Sequence, residues 1–385
     1  MSVVDGRVPV IVGVGQIVQR PGGTAIEDAR GPVELMLDAA RVASADAGAP
    51  KLLADAQFVG VAGGRFPYRD PGRLVADAVG ATSAATALTA ISGTGPQDLL
   101  GIAAERIARG QLDVALIVGG EASWSRERLK RDRRDPPEAW MWHPGEGAPE
   151  VVSGYPDELM AEAKMFGGAP TAYALFEDAL RSANSRTVDE QRDLVSSMWA
   201  QFSAVAARNG RAWDRSVHSA EEIREPTPRN RLVAFPYTKA MVANNLVDMA
   251  SAVLLCSVER ARAVGVSIDR FVFPRVVTKS HETWVVAHRR ELHCSPALAA
   301  AGRAALDHCG LTVDDIDHVD LYACFPSIVE MSSAALGLST DRPLTVTGGL
   351  GFAGAAVGNA VGHSICAMVE AVRGGGLGLV HGNGG

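Results

Sequence analysis

The chain has 385 residues, of which 47% are hydrophobic and 21% are charged, and this composition is typical of a globular protein with a sizeable core. Its net charge of −7 gives no indication of a nucleic-acid-binding surface. Without a secretion signal or an apolar run of transmembrane length, the sequence predicts a cytoplasmic protein that does not enter membranes. The cysteines do not have the spacing of metal ligands, so we expect reduced thiols and no metal at Cys256, Cys294, Cys309, Cys324 and Cys366.

Strands and helices alternate in the first third of the chain. Residues 8–14 form a continuous apolar run that ends in glycine, which predicts a buried strand. Residues 32–47 have apolar side chains at helical spacing, and short apolar runs at 58–61 and 114–118 predict further strands. This alternation predicts an α/β layered unit over residues 1–122.

A turn of small residues follows another predicted strand, at residues 87–91. Residues 92–95 (Ser-Gly-Thr-Gly) form the turn, and Pro96 opens the next helix. Ser92 therefore lies between the carboxyl end of a strand and the amino end of a helix, where unpaired N–H groups favour developing negative charge. This position suits a nucleophile or an oxyanion site, although any tight turn from strand to helix has the same pattern.

Residues 123–232 interrupt the alternation. They are rich in Arg, Trp and Pro, and they predict a mostly helical insertion with helices at 170–184 and 187–209. The large apolar side chains of the insertion are candidates for an acyl pocket or for its own core, and they are Trp140, Trp142, Met160, Met165 and Phe166.

Residues 233–385 return to the α/β pattern. The predicted elements are a helix at 248–251, strands at 253–257 and 271–277, and helices at 296–309 and 326–336.

One segment of the first α/β unit and one segment at the end of the sequence are weakly similar to each other. Residues 104–120 and 366–385 each contain a helix, an Arg-Gly break, an apolar strand and a Gly-Gly end. The repeat indicates a duplicated α/β unit.

Five segments, in chain order, carry a resemblance to the thiolase superfamily. The turn at 92–95 resembles the Cys-Gly-Ser-Gly turn that holds the nucleophilic cysteine of thiolases. Residues 170–181 resemble the loop-domain helix of the sterol-carrier-protein (SCP2) thiolase branch, and 236–265 resemble the segment that opens the second thiolase half. Residues 321–327 (LYACFPS) and 347–354 (TGGLGFAG) resemble that branch's His-Asp-Cys-Phe block and its Gly-Gly loop. The chain is thus similar to thiolase-like proteins of this branch, which are often labelled acetyl-CoA acetyltransferases.

The resemblance implies an α/β thiolase fold with two similar halves. Each half would contain a mixed five-stranded sheet with helices, the two halves together would form five layers, and a mostly helical loop domain would cover acyl-CoA. The corresponding boundaries are 1–122, 123–232 and 233–385, and a further strand is expected after residue 385, since one follows the equivalent turn in thiolases. The resemblance also implies an acyl-CoA substrate without another cofactor, a homodimer, and a small OB-fold (DUF35-type) partner.

Every catalytic element of a thiolase is replaced in this chain. Ser92 replaces the nucleophilic cysteine, and a serine hydroxyl needs an adjacent base to become a nucleophile. The Gly-His-Pro position falls on residues 354–356, which contain no histidine, and the His-Asp-Cys-Phe block begins with Tyr322 and Ala323. His381 lies at the position of the second cysteine. These replacements argue against the standard thiolase reaction.

The residues that remain at the matched positions are the candidates for chemistry. The catalytic candidates are Ser92, Tyr322, His363 and His381, and the substrate or oxyanion candidates are Gly93, Cys324, Gly349 and Gly384, with Asn359 nearby in sequence. Each also has an ordinary structural interpretation, such as a packed tyrosine ring, a buried thiol or a helix histidine.

Three functions are compatible with these residues. The first is aldol or retro-aldol chemistry on a β-hydroxyacyl-CoA, with Tyr322 or His381 as acid or base, which needs no cysteine nucleophile. The second is an acyltransferase that is acylated on Ser92, and the third is a non-catalytic module that binds acyl-CoA or lipid. The sequence alone favours the first.

Overall fold

The structure is a computed structural model that describes residues 5–22, 25–141, 149–152, 161–162 and 164–384. The strands are β1 (Pro9–Val18), β2 (Phe58–Val61), β3 (Ala85–Thr89), β4 (Val114–Ala122), β5 (Glu150–Val152), β6 (Leu232–Ala234), β7 (Tyr237–Thr238), β8 (Asp248–Ser257), β9 (His318–Asp320) and β10 (Gly378–Val380). The helices are α1 (Pro32–Ala47), α2 (Pro71–Val79), α3 (Gly95–Ala108), α4 (Ser123–Arg131), α5 (Ala169–Ala183), α6 (Val188–Arg208), α7 (Ala220–Arg224), α8 (Val258–Ala263), α9 (Pro296–Cys309), α10 (Pro326–Leu336), α11 (Gly349–Phe352) and α12 (Ala360–Val372). The predicted α/β class is confirmed.

A mixed six-stranded sheet forms the centre of the first half, in the order β1-β8-β4-β2-β3-β5. Strand β8 is antiparallel to both of its neighbours, and the other pairs are parallel. The helix predicted at 248–251 is therefore wrong, because these residues are the first part of β8. The local sequence does not determine that these residues form a strand. Backbone hydrogen bonds to β1 on one side and β4 on the other stabilise β8, which is buried along its whole length.

Helices cover both faces of this sheet and make two apolar cores. On one face, Leu35 and Met36 of α1 pack with Leu116 and Leu254 of the sheet. On the other face, α3 and α12 pack together over residues such as Leu255. Side chains alternate between the two faces along each strand, so neighbouring β8 residues belong to different cores. None of the helices in the described ranges is both long and apolar enough to cross a membrane.

The second half repeats the helix-strand unit of the first but carries a smaller sheet. Strand β10 follows α12 as β4 follows α3, in agreement with the internal repeat, and it pairs in parallel with β9 alone. Residues 271–277, predicted as a strand, form one antiparallel bridge between Val272 and Ile11 of β1. The described residues thus give six strands in the first sheet and two here, rather than the expected five in each.

The insertion supplies helices to the second half. Helices α5 and α6 lie within one residue of the predicted bounds, and a capping box formed by Thr187 and Glu190 begins α6. Trp199 and Phe202 of α6 stack on each other and pack with Phe325 in a third core. The boundaries at residues 123 and 232 stay predictions, although β8, which we placed in the second half, lies in the first sheet.

Candidate functional site

Three chain segments meet at the carboxyl ends of β3, β9 and β10. A side chain on Gly93 would collide with the Asn383 carbonyl oxygen, and its Cβ would lie 2.7 Å from the Tyr322 hydroxyl. A side chain on Gly384 would likewise collide with the Ser92 hydroxyl. Glycine is therefore required at both positions for the backbones to approach. The structure thus brings together Ser92, Gly93, Tyr322 and Gly384, which are four of the predicted site residues.

Ser92 is buried and belongs to a chain of polar groups. Its hydroxyl lies 2.9 Å from the Thr94 hydroxyl and accepts a hydrogen bond of 3.1 Å from the Thr94 backbone N–H. The Thr94 hydroxyl is 3.3 Å from a carboxylate oxygen of Asp98, which is 2.8 Å from the Lys279 ammonium. No histidine is hydrogen-bonded to Ser92 in the described part of the chain. Ser92 therefore lacks the histidine base that activates serine in a catalytic triad.

Tyr173 of α5 lies beside this meeting point and was not among the predicted site residues. Its hydroxyl accepts a hydrogen bond of 2.8 Å from the Asn383 side-chain amide, and its ring stacks on Phe325 at 4.4 Å between centroids. Burial raises the pKa of the Tyr173 hydroxyl well above 10, and the neighbouring Cys324 thiol adds to this shift. Burial also raises the pKa of Cys324 to about 12. Both groups are therefore protonated near neutral pH, and Cys324 is not a thiolate nucleophile.

The two candidate histidines occupy different places. His381 lines the main cavity, and its Nδ1 is 3.3 Å from the Ser332 hydroxyl. His363 is buried under β1, where its Nδ1 is 2.9 Å from the Gln16 side-chain oxygen and its Nε2 has no hydrogen-bond partner. Burial lowers the pKa of each imidazole to about 4, so both are neutral at pH 7.

Gly349 and Asn359 lie close to residues that flank the site: a Cβ on Gly349 would be 3.3 Å from Ala323, and a Cβ on Gly358, which precedes Asn359, would be 3.8 Å from Ile91. Gly349 and His363 line a second, much smaller cavity that Ser92 does not border. The Asn359 amide donates 2.8 Å to the Gly119 carbonyl and also bonds Ser251, so it ties α12 to β4 and β8. None of these three residues lines the main cavity.

A cavity of about 720 Å³ opens beside the meeting point. At one end it is lined by Thr94, Asp98, Tyr173, His381 and Asn383. From there it extends between residues 271–277 and β10, over apolar side chains of α9 and α12. Its size suits a small-molecule ligand, and apolar walls with a few converging polar groups are typical of binding sites.

The predicted acyl-pocket residues divide between this cavity and other places. Phe166 lines the cavity, whereas Trp140 packs in the core under α1 and Met165 is exposed. Trp142 and Met160 lie outside the described residues. Among the residues that are described, no group of three His, Cys, Asp or Glu side chains is placed to hold a metal ion.

Tyr173, Thr94, Asp98 and Asn383 are the site residues that the sequence did not identify. Thr94 and Asp98 lie within six residues of Ser92, and a polar pair one helical turn apart was the available signal. Tyr173 lies inside the segment 170–181 that resembles the SCP2 branch, but nothing local predicts that its hydroxyl faces Asn383.

The chain is similar to several proteins of known structure. No family model and no curated protein matches the chain. A monomeric SCP2-thiolase-like protein type 1 from Mycobacterium smegmatis is 32% identical, with a TM-score of 0.81, and the match covers 99% of this chain and 75% of the other.

Two further structures share the fold at lower identity. The Ltp2–ChsH2(DUF35) aldolase is 18% identical with a TM-score of 0.72, and the match covers 98% of this chain and 95% of that one. An acetyl-CoA acetyltransferase from Syntrophomonas wolfei is 17% identical with a TM-score of 0.65, and here the coverage is 98% and 96%. The thiolase fold expected from the sequence is thus confirmed, and the chain belongs to the SCP2-thiolase-like proteins of the thiolase superfamily.

Proposed function

We propose that the chain binds an acyl-CoA thioester and cleaves a carbon–carbon bond of a β-hydroxyacyl-CoA by retro-aldol chemistry. The observation that carries the proposal is the pair formed by Tyr173 and Asn383 at the polar end of the cavity, 2.8 Å apart. This pair stands beside a Ser92 hydroxyl that no histidine contacts in the described residues and a Cys324 that stays protonated. The site thus offers hydrogen-bond donors and proton carriers rather than a nucleophile.

A retro-aldol cleavage needs donors for the thioester oxygen as negative charge moves onto it. The Asn383 amide nitrogen carries two hydrogens and uses one on Tyr173, so the second is available to a ligand. Because Asn383 occupies a lone pair of the Tyr173 oxygen, the phenol hydrogen points toward Cys324 or toward a ligand. Tyr173 is then suited to hold the enolate and to return a proton to its carbon.

The walls of the cavity support a CoA thioester as the ligand. Arg289 lines the cavity and supplies positive charge, and its guanidinium lies 5.7 Å from the Phe176 ring centre. Cations of this kind pair with phosphate groups. The apolar part of the cavity, along α9 and α12, suits an acyl chain.

A DUF35-type partner is part of the proposal. One structural neighbour is described as an aldolase complex with a DUF35 protein, which favours testing such a protein with this chain. The homodimer expected from the resemblance stays a prediction, and the 32% identical relative is described as monomeric.

The test incubates the protein with a panel of 3-hydroxyacyl-CoA thioesters that have short, long and branched acyl groups. Mass spectrometry follows the release of the shorter acyl-CoA and any acyl adduct on the protein, and calorimetry measures thioester binding. Tyr173→Phe and Asn383→Ala should each lower the cleavage rate about 100-fold or more, because each removes a group that acts at the transition state.

Tyr68→Phe is the matched control. Tyr68 is also a buried tyrosine whose hydroxyl is hydrogen-bonded, to the Ala139 carbonyl at 3.0 Å, and it does not line the cavity. Its loss should leave cleavage unchanged. Binding without cleavage of any thioester would identify a binding module, and an adduct lost in Ser92→Ala would identify a serine acyltransferase; either result would refute the proposal.

A further inference from the structure

We propose that Asp98 accepts the proton of the substrate's β-hydroxyl group through the hydroxyl of Thr94. This inference rests on the proposed function, since it identifies the base for the same cleavage. Thr94 precedes α3 and Asp98 lies in its first turn, and both residues line the polar end of the cavity. The Ser92 hydroxyl contacts the Thr94 hydroxyl, but Ser92 does not line the cavity.

The hydrogen-bond pattern fixes the direction in which the hydroxyls point. An ionised carboxylate only accepts hydrogen bonds, so the Thr94 hydroxyl must donate its hydrogen to Asp98, 3.3 Å away. The Ser92 hydroxyl, 2.9 Å from the Thr94 oxygen, must then be the donor in that pair. One lone pair of the Thr94 oxygen remains. A hydroxyl group that enters the cavity at Thr94 therefore meets an acceptor.

Lys279 and the helix hold the carboxylate in place. The Lys279 ammonium is 2.8 Å from the same Asp98 oxygen that accepts from Thr94. The Asp98 side chain is 10% exposed, and it lies at the amino end of α3, where a negative charge is favoured. Lys279 is thus a positioning residue, whereas Thr94 and Asp98 carry the proton.

The step balances without a further reactant. The β-hydroxyl proton passes to Thr94 as the Thr94 hydrogen passes to the Asp98 carboxylate. The oxygen's electron pair forms the new C=O bond, the Cα–Cβ bond breaks, and its electron pair becomes the thioester enolate. The enolate carbon takes a proton from Tyr173, and solvent exchange restores Tyr173 and Asp98. Cβ is oxidised as it becomes a carbonyl carbon and Cα is reduced to the same extent as it gains a hydrogen, so no external oxidant or reductant is needed, and the products together are an isomer of the substrate.

The experiment compares Asp98→Asn with the wild type on the 3-hydroxyacyl-CoA that the wild type cleaves. Asparagine keeps the size and a hydrogen-bond acceptor but cannot take the proton. We expect kcat for cleavage to fall about 100-fold or more while thioester binding, measured by calorimetry, changes less than threefold. Asp77→Asn is the control, because Asp77 is an exposed carboxylate on α2 that pairs with Arg73 and does not line the cavity.

Substitutions at Thr94 give an independent test that does not remove a charge. Thr94→Ser keeps the hydroxyl and should retain most of kcat, whereas Thr94→Val keeps the shape and should lose as much as Asp98→Asn. Thioester binding, measured by calorimetry, should change less than threefold in Thr94→Val, because the Tyr173 and Asn383 side chains are unchanged.

The outcomes separate this inference from the proposed function. If the wild type cleaves and Asp98→Asn or Thr94→Val keeps more than half of kcat, the proton relay is refuted and the retro-aldol function stands. If the wild type binds thioesters and cleaves none, the proposed function fails and the relay fails with it.

Discussion

The two halves of the molecule use the same helix-strand unit in different surroundings. In the first half, β4 lies between β2 and β8, and every residue of β4 is buried. In the second half, β10 follows the corresponding helix but has β9 as its one partner strand among the described residues, and its three residues also line the cavity. The sheet of the first half is therefore closely packed around β4, whereas β10 borders a space in which a ligand can bind and to which the first half contributes Thr94 and Asp98. The Ser92 turn belongs to the first half but faces this space.

The largest predicted effect compares one leucine from each half. Leu116→Ala in β4 removes a fully buried side chain and should lower the free energy of unfolding by about 2–5 kcal/mol. Leu379→Ala in β10 should cost about 1 kcal/mol, because Leu379 is only partly buried and already borders the cavity. Urea unfolding at pH 7 measures both. Equal losses would show that β10 is packed as tightly as β4 in solution.

Helix bounds were the part of the fold that the sequence predicted best. Helices α1, α9 and α10 have the predicted ends, since each begins with proline and is followed by a glycine in the left-handed region. These signals are local and need no knowledge of the fold. The first part of β8 was assigned to the wrong class because its neighbours in the sheet, which are distant in sequence, decide it.

The sequence predicted only part of the site, because contacts between distant segments determine the rest. Ser92 and Tyr322 meet as the family resemblance implies, because both lie at strand ends that converge. Tyr173 was not identified, since its side chain reaches Asn383 only through the packing of α5 against the second half. His363, by contrast, was predicted as a site residue because an imidazole can act as an acid or base. Its side chain contacts Gln16, on the side of α12 that faces away from the cavity. Residue type alone does not reveal which face of a helix points to the site.

A second prediction concerns acid stability and compares two histidines of the second half, His363, which contacts Gln16 of the first sheet, and His381, which lines the cavity. Burial lowers the pKa of His363 and His381 to about 4, below the ordinary value near 6.5. The unfolded chain therefore binds more protons between these values, so the stabilisation is complete above pH 6.5 and is lost as the pH falls toward 4. Each histidine contributes up to about 3 kcal/mol to this loss.

The measurement is the free energy of unfolding at pH 7 and at pH 4.5 for the wild type, His363→Gln and His381→Gln. Both variants should lose less stability on acidification than the wild type does. The difference should be larger for His363→Gln, since its Nε2 is buried without a partner, whereas His381 lines the cavity. A larger effect at His381 would mean that water does not reach the cavity end of the second half.

The smallest predicted effect concerns the outer edges of the two sheets. In the first half, β5 covers the edge of β3 by parallel pairing, and Arg106 of α3 holds β5 through both oxygens of Glu150, at 2.9 and 2.7 Å. Dimers of thiolases are expected to pair through the strand that carries the nucleophile turn, which is β3 here. Because β5 pairs along that edge, the homodimer expected from the sequence requires β5 to move, and light scattering should give 40.3 kDa, the mass of one chain, as long as β5 stays in place.

Arg106→Ala tests whether this ion pair keeps β5 in place. The free energy of unfolding should fall by less than about 1 kcal/mol, because the pair is partly exposed, but hydrogen exchange at the β3 amides should become faster. Arg109→Ala is the control, since Arg109 pairs with Glu105 on the exposed side of the same helix and does not contact β5. A wild-type mass near twice that of the chain would show that β5 does not block β3, and the contrast between a closed edge at β3 and an open edge at β10 would then fail.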